Sequence, residues 1–271
     1  MQAFWAPRCS VRLSGTAFLR RFRVPDVVGY RAKIGVVVPS TNTVVEYDLN
    51  QVRPPGVTFH SGRFFVEAPD LSTDEKFLHF LGLIRQTIPT ALRDLMTCEP
   101  DYILMGMSAE TFWGGKEGNA AFEASVREQT GGLGITSGAD ACNAALERLG
   151  VSNIACITPY QPVGDAQVDG YFSECGYDVK RVHGLKCATA TSIADVQPDT
   201  LLDELKRLDG PDIDAIIQCG TNLSMVAVAD EAEQLLGKPV LAINAVCLWH
   251  ALRALHIEDQ FLGQGMMLRE F

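Results

Sequence analysis

The stretches KIGVVVPS (33–40) and DYILMGMS (101–108) decide the fold, because each is matched again later in the chain. The first is matched by NIACITPY (153–160) and the second by DAIIQCGT (214–221), in the same order. The segments ALERL (145–149) and ALRAL (251–255) repeat in the same way. Three matches in register predict a duplicated unit, with one copy in each half of the chain.

Short apolar runs alternate with helical patterns along most of the chain. The runs at 33–40 and 101–108 predict buried strands, and the apolar spacing predicts helices over 74–96 and 119–129. Buried strands that alternate with amphipathic helices are typical of parallel βαβ units. The sequence therefore predicts an α/β fold with two halves, residues 30–150 and 151–271.

The first 25 residues differ from everything after them, because they contain arginines and no acidic residue. An Arg-rich, acid-free start is typical of a transit peptide, but it also fits an N-terminus extended by an early start codon. We prefer the second explanation, since the segment shows no clear periodicity. We expect residues 1–29 to form a basic, disordered extension outside the fold. The arginines are Arg8, Arg12, Arg20, Arg21 and Arg23.

The composition argues against several classes of protein. Lys and Arg number 23 against 33 Asp and Glu, a net charge of −10, whereas nucleic-acid binding needs a concentrated basic surface. No apolar run approaches the ~20 residues of a membrane-spanning helix. The eight cysteines are irregularly spaced, with no CxxC pair, and predict free thiols in a reducing cytoplasm rather than disulfides or a metal site.

Polar residues that follow the predicted strands form the candidate site. In parallel α/β sheets, ligands bind beyond the carboxyl ends of the strands. Hydroxyl and amide groups at these ends suit a carboxylate, which accepts hydrogen bonds from neutral donors. Taken singly, each residue is explained as well by turn formation or helix capping. The equivalent placement in both halves favours a function for Asn42, Gly106, Met107, Ser108, Tyr160, Cys219, Gly220 and Thr221.

Four motifs together resemble the aspartate/glutamate racemase superfamily, and within it arylmalonate decarboxylase and maleate cis-trans isomerase. They are VVVPSTNT (36–43), MGMSAETFWGG (105–115), ITPY (157–160) and QCGTN (218–222). The resemblance implies two pseudo-symmetric, Rossmann-like halves with parallel sheets and an active site in the cleft between them. It also implies a small carboxylate substrate and no cofactor or metal.

The number and position of the cysteines differ between the activities of this superfamily. Its racemases and maleate isomerases have one cysteine in each half, and Cys219 matches the second of these by resemblance. The internal alignment puts Gly106 opposite Cys219, so the first-half cysteine is missing. Two facing thiols are needed to protonate a planar carbanion from either side, whereas one thiol protonates it from one side only. Arylmalonate decarboxylase is similar to this pattern, with a glycine in the first half and a single cysteine in the second.

This resemblance implies decarboxylation of a malonate-type dicarboxylic acid through an enediolate that Cys219 protonates. Ser108, Tyr160, Asn42, Thr221 and the backbone N–H groups near Met107 and Gly220 would stabilise the enediolate. The apolar residues Phe112, Trp113 and Leu223 would supply part of the pocket for the departing carboxylate.

Two other interpretations remain open. The chain is alternatively a maleate cis-trans isomerase or a racemase of the same superfamily, or a non-catalytic protein that binds carboxylates. Its expected partners are a small mono- or dicarboxylate and, at most, further copies of itself, with neither nucleic acid nor membrane.

Overall fold

Eight β-strands form two separate four-stranded sheets in the computed structural model, which describes residues 26–67 and 70–271. All neighbouring strands in both sheets run parallel. The first sheet has the order β2-β1-β3-β4, with β1 (Ala32–Pro39), β2 (Val57–Phe64), β3 (Tyr102–Met105) and β4 (Gly134–Thr136). The second has the order β6-β5-β7-β8, with β5 (Asn153–Thr158), β6 (Asp178–Gly184), β7 (Ala215–Gln218) and β8 (Val240–Ala242).

Helices connect the strands and cover both faces of each sheet. This explains why β1, β3, β5 and β7 are almost continuously apolar and buried. Before the second sheet the helices are α1 (Val45–Gln51), α2 (Asp74–Met96), α3 (Ala109–Phe112), α4 (Gly115–Gln129) and α5 (Gly138–Leu149). The others are α6 (Pro162–Cys175), α7 (Pro198–Leu208), α8 (Val226–Leu236), α9 (Ile243–Ala254) and α10 (Met266–Glu270).

The predicted α/β class and the helix over 74–96 are confirmed. Helix α2 begins after Thr73, whose Oγ1 accepts a hydrogen bond from the Lys76 N–H at 3.3 Å. It buries Phe77, Leu81 and Ile84 along one face, at the spacing of an amphipathic helix. The strand predicted over 101–108 is shorter than expected, because the chain leaves the sheet after Met105 and turns.

The two sheets repeat the same local geometry. Val37 of β1 pairs with Met105 of β3, and Ile157 of β5 pairs with Gln218 of β7. One residue further on, the Gly106 N–H donates to the Val37 carbonyl at 2.8 Å, and the Cys219 N–H donates to the Ile157 carbonyl at 2.9 Å. The register read from the repeats is therefore present in the structure.

The carboxyl ends of the central strands of both sheets meet at one place. Helix α9, from the second half of the chain, packs against α1, α5 and the strands β3 and β4 of the first half. The predictions for residues 1–25 fall outside the described residues. No helix within residues 26–67 and 70–271 is long and apolar enough to cross a membrane.

Candidate active site

A cavity of about 70 Å³ lies beyond the carboxyl ends of β1, β3, β5 and β7. One water needs about 10–15 Å³ by the same measure, so the cavity has room for a small ligand. None of the described residues that line it is Asp, Glu, Lys, Arg or His. Polar groups come from Thr41, Asn42, Ser108, Tyr160, Gln161, Cys187, Thr221 and Asn222. Seven large apolar residues also line the cavity: Phe64, Leu71, Phe77, Phe80, Ile84, Met107 and Ile193.

The Ser108 hydroxyl joins the two halves inside this cavity. Its Oγ lies 2.7 Å from the Tyr160 hydroxyl and accepts a hydrogen bond from the Thr221 N–H at 3.2 Å. Burial raises the pKa of the Tyr160 hydroxyl, which therefore keeps its proton at neutral pH. The cluster consequently offers protonated hydroxyl groups to a bound anion.

Asn42 presents its amide nitrogen to the same cluster. Its Oδ1 accepts hydrogen bonds from the N–H groups of Val44 and Val45 at the start of α1. These bonds fix the orientation of the amide, so that Nδ2 faces Thr221 Oγ1 at 3.4 Å. Asn42 therefore adds a donor, not an acceptor, to the cavity.

Backbone N–H groups complete the donor set. Among the described residues, no hydrogen bond occupies the backbone N–H of Met107, Gly220 or Asn222, and all three residues line the cavity. Met107 and Gly220 hold equivalent positions after Gly106 and Cys219. A neutral cavity with several unoccupied donors is suited to hold a carboxylate or a developing oxyanion.

The apolar wall comes from a different place than expected. Phe77, Phe80 and Ile84 of α2 line the cavity. The three residues expected there, Phe112, Trp113 and Leu223, do not. Phe112 is fully buried and packs against Tyr171 and Phe172 of α6 instead. The long loop and helix after β2 therefore cover the site, while the turn after β3 supplies its polar side.

The structure does not place Cys219 on the cavity wall. The residue is fully buried, and its thiol faces Cys156 and Cys142 in the core. Burial and the neighbouring Cys156 thiol raise the pKa of Cys219 well above its ordinary value. Because the Cys219 N–H still pairs with β5, the chain turns towards the cavity only at Gly220, which has a φ of +128°.

Gly106 likewise does not line the cavity, although its carbonyl accepts a hydrogen bond from Thr221 Oγ1 at 3.2 Å. A Cβ at this position would overlap Val38 Cγ1 and lie 3.0 Å from Val45 Cγ1. Gly106 and Cys219 hold equivalent positions and neither lines the cavity, so the expectation that they face each other across a substrate stays a prediction. The other six predicted residues, Asn42, Met107, Ser108, Tyr160, Gly220 and Thr221, all line the cavity.

Cys187 lines the cavity and was not singled out from the sequence. It follows β6, and its N–H donates to the Pro159 carbonyl at 3.0 Å, which ties this loop to the end of β5. Burial raises the pKa of its thiol. From the sequence, only its position in a loop after a strand could have indicated that Cys187 lines the cavity. No cluster of three potential metal ligands occurs within the ranges that the structure describes.

A family model described as arylmalonate decarboxylase matches residues 71–268, most of the chain. The chain belongs to this family. The superfamily resemblance of the four motifs is thereby confirmed, and an enzyme family is shown, but the family model does not by itself separate a decarboxylase from an isomerase.

Curated proteins that are similar to this chain are named maleate isomerase. Maleate isomerase from Nocardia farcinica is 26% identical over 247 residues, which cover 88% of this chain and 96% of the relative. Maleate isomerase from Alcaligenes faecalis is 25% identical over 247 residues, with 87% and 96% coverage.

Solved structures show the same fold. A cysteine-to-serine mutant of Nocardia farcinica maleate cis-trans isomerase, with a covalently bound succinylcysteine intermediate, aligns with a TM-score of 0.79 and 24% identity over 88% of this chain and 98% of that one. A glycine-to-cysteine, cysteine-to-serine double mutant of arylmalonate decarboxylase in its liganded form aligns with a TM-score of 0.77 and 23% identity over 88% and 99%.

Proposed function

We propose that the chain is an enzyme that converts a small dicarboxylate through an enediolate held in the cavity. The observation that carries this proposal is the Ser108 hydroxyl, which meets the Tyr160 hydroxyl and the Thr221 N–H at the junction of the halves. An enediolate places negative charge on two carboxyl oxygens. Preorganised neutral donors stabilise such charge most where water and competing ions are excluded.

Cis–trans isomerisation of a maleate-type diacid is the reaction that we propose. The names of the curated relatives, which match this chain over nearly their whole length, support it. A neighbouring isomerase structure contains a succinylcysteine, so a thiol adds to the substrate in that protein. In this chain, Cys187 is the thiol among the described residues that lines the cavity.

The proposed steps balance without a cofactor. The Cys187 thiol gives its proton to a substrate carboxylate, and its sulfur bonds to one alkene carbon. The electron pair of the double bond moves into the neighbouring carboxyl group as an enediolate, which the donors around Ser108 hold. The former double bond is now single, and the substrate turns about it. Reversal of the same steps expels the thiol with its proton and leaves the trans isomer.

Decarboxylation of a malonate-type diacid is the second candidate. The apolar wall of Phe77, Phe80 and Ile84 favours it, because poor solvation of a carboxylate promotes its loss as neutral CO2. The enediolate left behind would take a proton from Cys187, since Cys187 lines the cavity and Cys219 does not. Both candidates thus share the same donors and the same thiol.

Proton NMR on the purified protein tests the proposal and separates its branches. Incubation with maleate should yield fumarate, and incubation with phenylmalonate should yield phenylacetate if decarboxylation is the reaction. Cys187→Ser should abolish turnover, whereas Cys219→Ser should keep it. If neither substrate is converted and both bind, the chain is a carboxylate-binding protein and the proposed function is wrong.

A further inference from the structure

Asp48 of α1 is a buried acid that the proposed chemistry does not use. Only 6% of the residue is exposed. Its Oδ2 accepts a hydrogen bond from Asn244 Nδ2 of α9 at 2.7 Å. No Lys, Arg or His forms an ion pair with Asp48 in the part of the chain that the structure describes. A buried carboxylate with a single amide partner is costly, so its presence needs an explanation.

The same amide nitrogen also holds the turn of the candidate site. Asn244 Nδ2 donates to the Thr221 carbonyl at 3.0 Å, and the Thr221 N–H donates to Ser108 Oγ. Ser108 in turn contacts the Tyr160 hydroxyl. An unbroken series of hydrogen bonds therefore runs from Asp48, outside the cavity, to the hydroxyl cluster inside it.

The held carbonyl determines the direction of an unoccupied donor. A trans peptide is planar, so the Asn222 N–H points opposite to the Thr221 carbonyl to which it is joined. The Asn222 side chain is already engaged, since its Oδ1 accepts from the Thr43 N–H and its Nδ2 donates to the Ala190 carbonyl. What Asn222 offers to the cavity is therefore its backbone N–H.

We propose that Asp48 is a positioning residue that keeps the Asn222 N–H aimed at the substrate oxyanion through Asn244. A carboxylate is an acceptor only, so it forces Asn244 to present its NH2 group to both Asp48 and Thr221. A protonated Asp48, or an asparagine in its place, can donate instead. The Asn244 amide can then flip, and its oxygen would repel the Thr221 carbonyl. The inference rests on the proposed function for its effect on turnover.

Asp48 changes its charge in a relevant pH range. Burial raises its pKa to about 6, and the Asn244 hydrogen bond opposes this only in part. The other charged or titratable groups on the packed elements are Glu46 and Tyr47 of α1, His60 and Arg63 of β2, and Cys247, His250 and Arg253 of α9. Glu46 pairs with Arg63, and none of these groups pairs with Asp48.

Two measurements on the full chain test this role. Amide NMR between pH 5 and 8 follows the Asn222 backbone and Asn244 side-chain resonances, and kcat and KM for the converted substrate are measured over the same range. The variants are Asp48→Asn and, as a control on the same helix, Glu46→Gln.

The expected result is a common titration near pH 6 in the wild type and in Glu46→Gln, with none in Asp48→Asn. In the wild type, kcat should fall as the pH drops below about 6. In Asp48→Asn, kcat should be about ten- to a hundred-fold lower at pH 7.5, with little change in KM and no acidic limb. This is less than the full loss of one oxyanion donor.

Other outcomes separate the two proposals. If the resonances titrate as expected but neither maleate nor phenylmalonate is converted, the hydrogen-bonded series stands and the proposed function fails. If turnover occurs and Asp48→Asn keeps the wild-type kcat and acidic limb, the positioning role is wrong. A loss of kcat with the same acidic limb in Asp48→Asn also overturns it, because the titrating group would then lie elsewhere.

Discussion

The two turns after β3 and β7 begin with the same backbone hydrogen bond but carry different side chains. Each keeps its first residue, Gly106 or Cys219, hydrogen-bonded to the neighbouring strand and directed into the core. Each then presents its next residues to the cavity, Met107 and Ser108 in one turn and Gly220 and Thr221 in the other. The comparison teaches that the position in the turn, rather than the chemistry of the side chain, decides which residue meets a ligand.

The largest expected effect concerns Ser108, the hydroxyl that joins the turns. Ser108→Ala removes the partner of the Tyr160 hydroxyl and of the Thr221 N–H, so kcat should fall roughly 100- to 1,000-fold, as for the loss of one oxyanion donor. Ser137→Ala is the matched control, since Ser137 is fully buried but lies outside the cavity. Equal activity in the two variants would remove Ser108 from the chemistry.

The second prediction concerns the support behind the turn after β7. The folded-state pKa of Asp48 is raised from 3.8 to about 6, so folding favours its protonated form and this acid destabilises the fold above pH 6. Asp48→Asn should therefore raise the free energy of unfolding at pH 7.5 by up to about 3 kcal/mol. The difference should vanish near pH 4. Urea titrations at both pH values measure it, and a less stable variant at pH 7.5 would contradict the burial of an unpaired charge.

The third prediction concerns Gly106, the first residue of the turn after β3. In Gly106→Ala, the new methyl group would overlap Val38, and overpacking of this kind costs about 1–3 kcal/mol. Chemical denaturation should show this loss. Ala109→Gly, at the start of α3 beside the cavity, adds no atoms to the core and serves for comparison. A fully stable Gly106→Ala protein would mean that position 106 faces open space.

The smallest expected effect concerns Cys219, the first residue of the turn after β7. Cys219→Ala should cost about 1 kcal/mol of stability for the lost contacts and leave kcat unchanged, because Cys219 is fully buried and does not line the cavity. Cys187→Ala should do the reverse. Steady-state kinetics and thermal unfolding of both variants check this. A large loss of kcat in Cys219→Ala with a normal melting temperature would restore Cys219 as the reacting group.

The repeats and apolar runs were sufficient to predict the fold, because buried parallel strands leave a strong local pattern. They also predicted six residues of the cavity, since strand ends of both sheets meet at one edge. The direction of Cys219 could not be predicted, because it depends on where strand pairing stops, and the apolar run continues through it. Asp48 and Cys187 come together with the site only through tertiary packing, which no local spacing reveals.

A crystal structure with malonate bound tests the central claim most directly, that the cavity holds the substrate and Cys219 lies behind its wall. We predict a carboxylate oxygen about 2.7–3.1 Å from the Ser108 and Tyr160 hydroxyls and from the backbone nitrogen of Gly220 or Asn222. Cys187 should line the space beside the ligand, and Cys219 should remain in contact with Cys156. Malonate in direct contact with the Cys219 sulfur, or bound away from Ser108, would contradict the account.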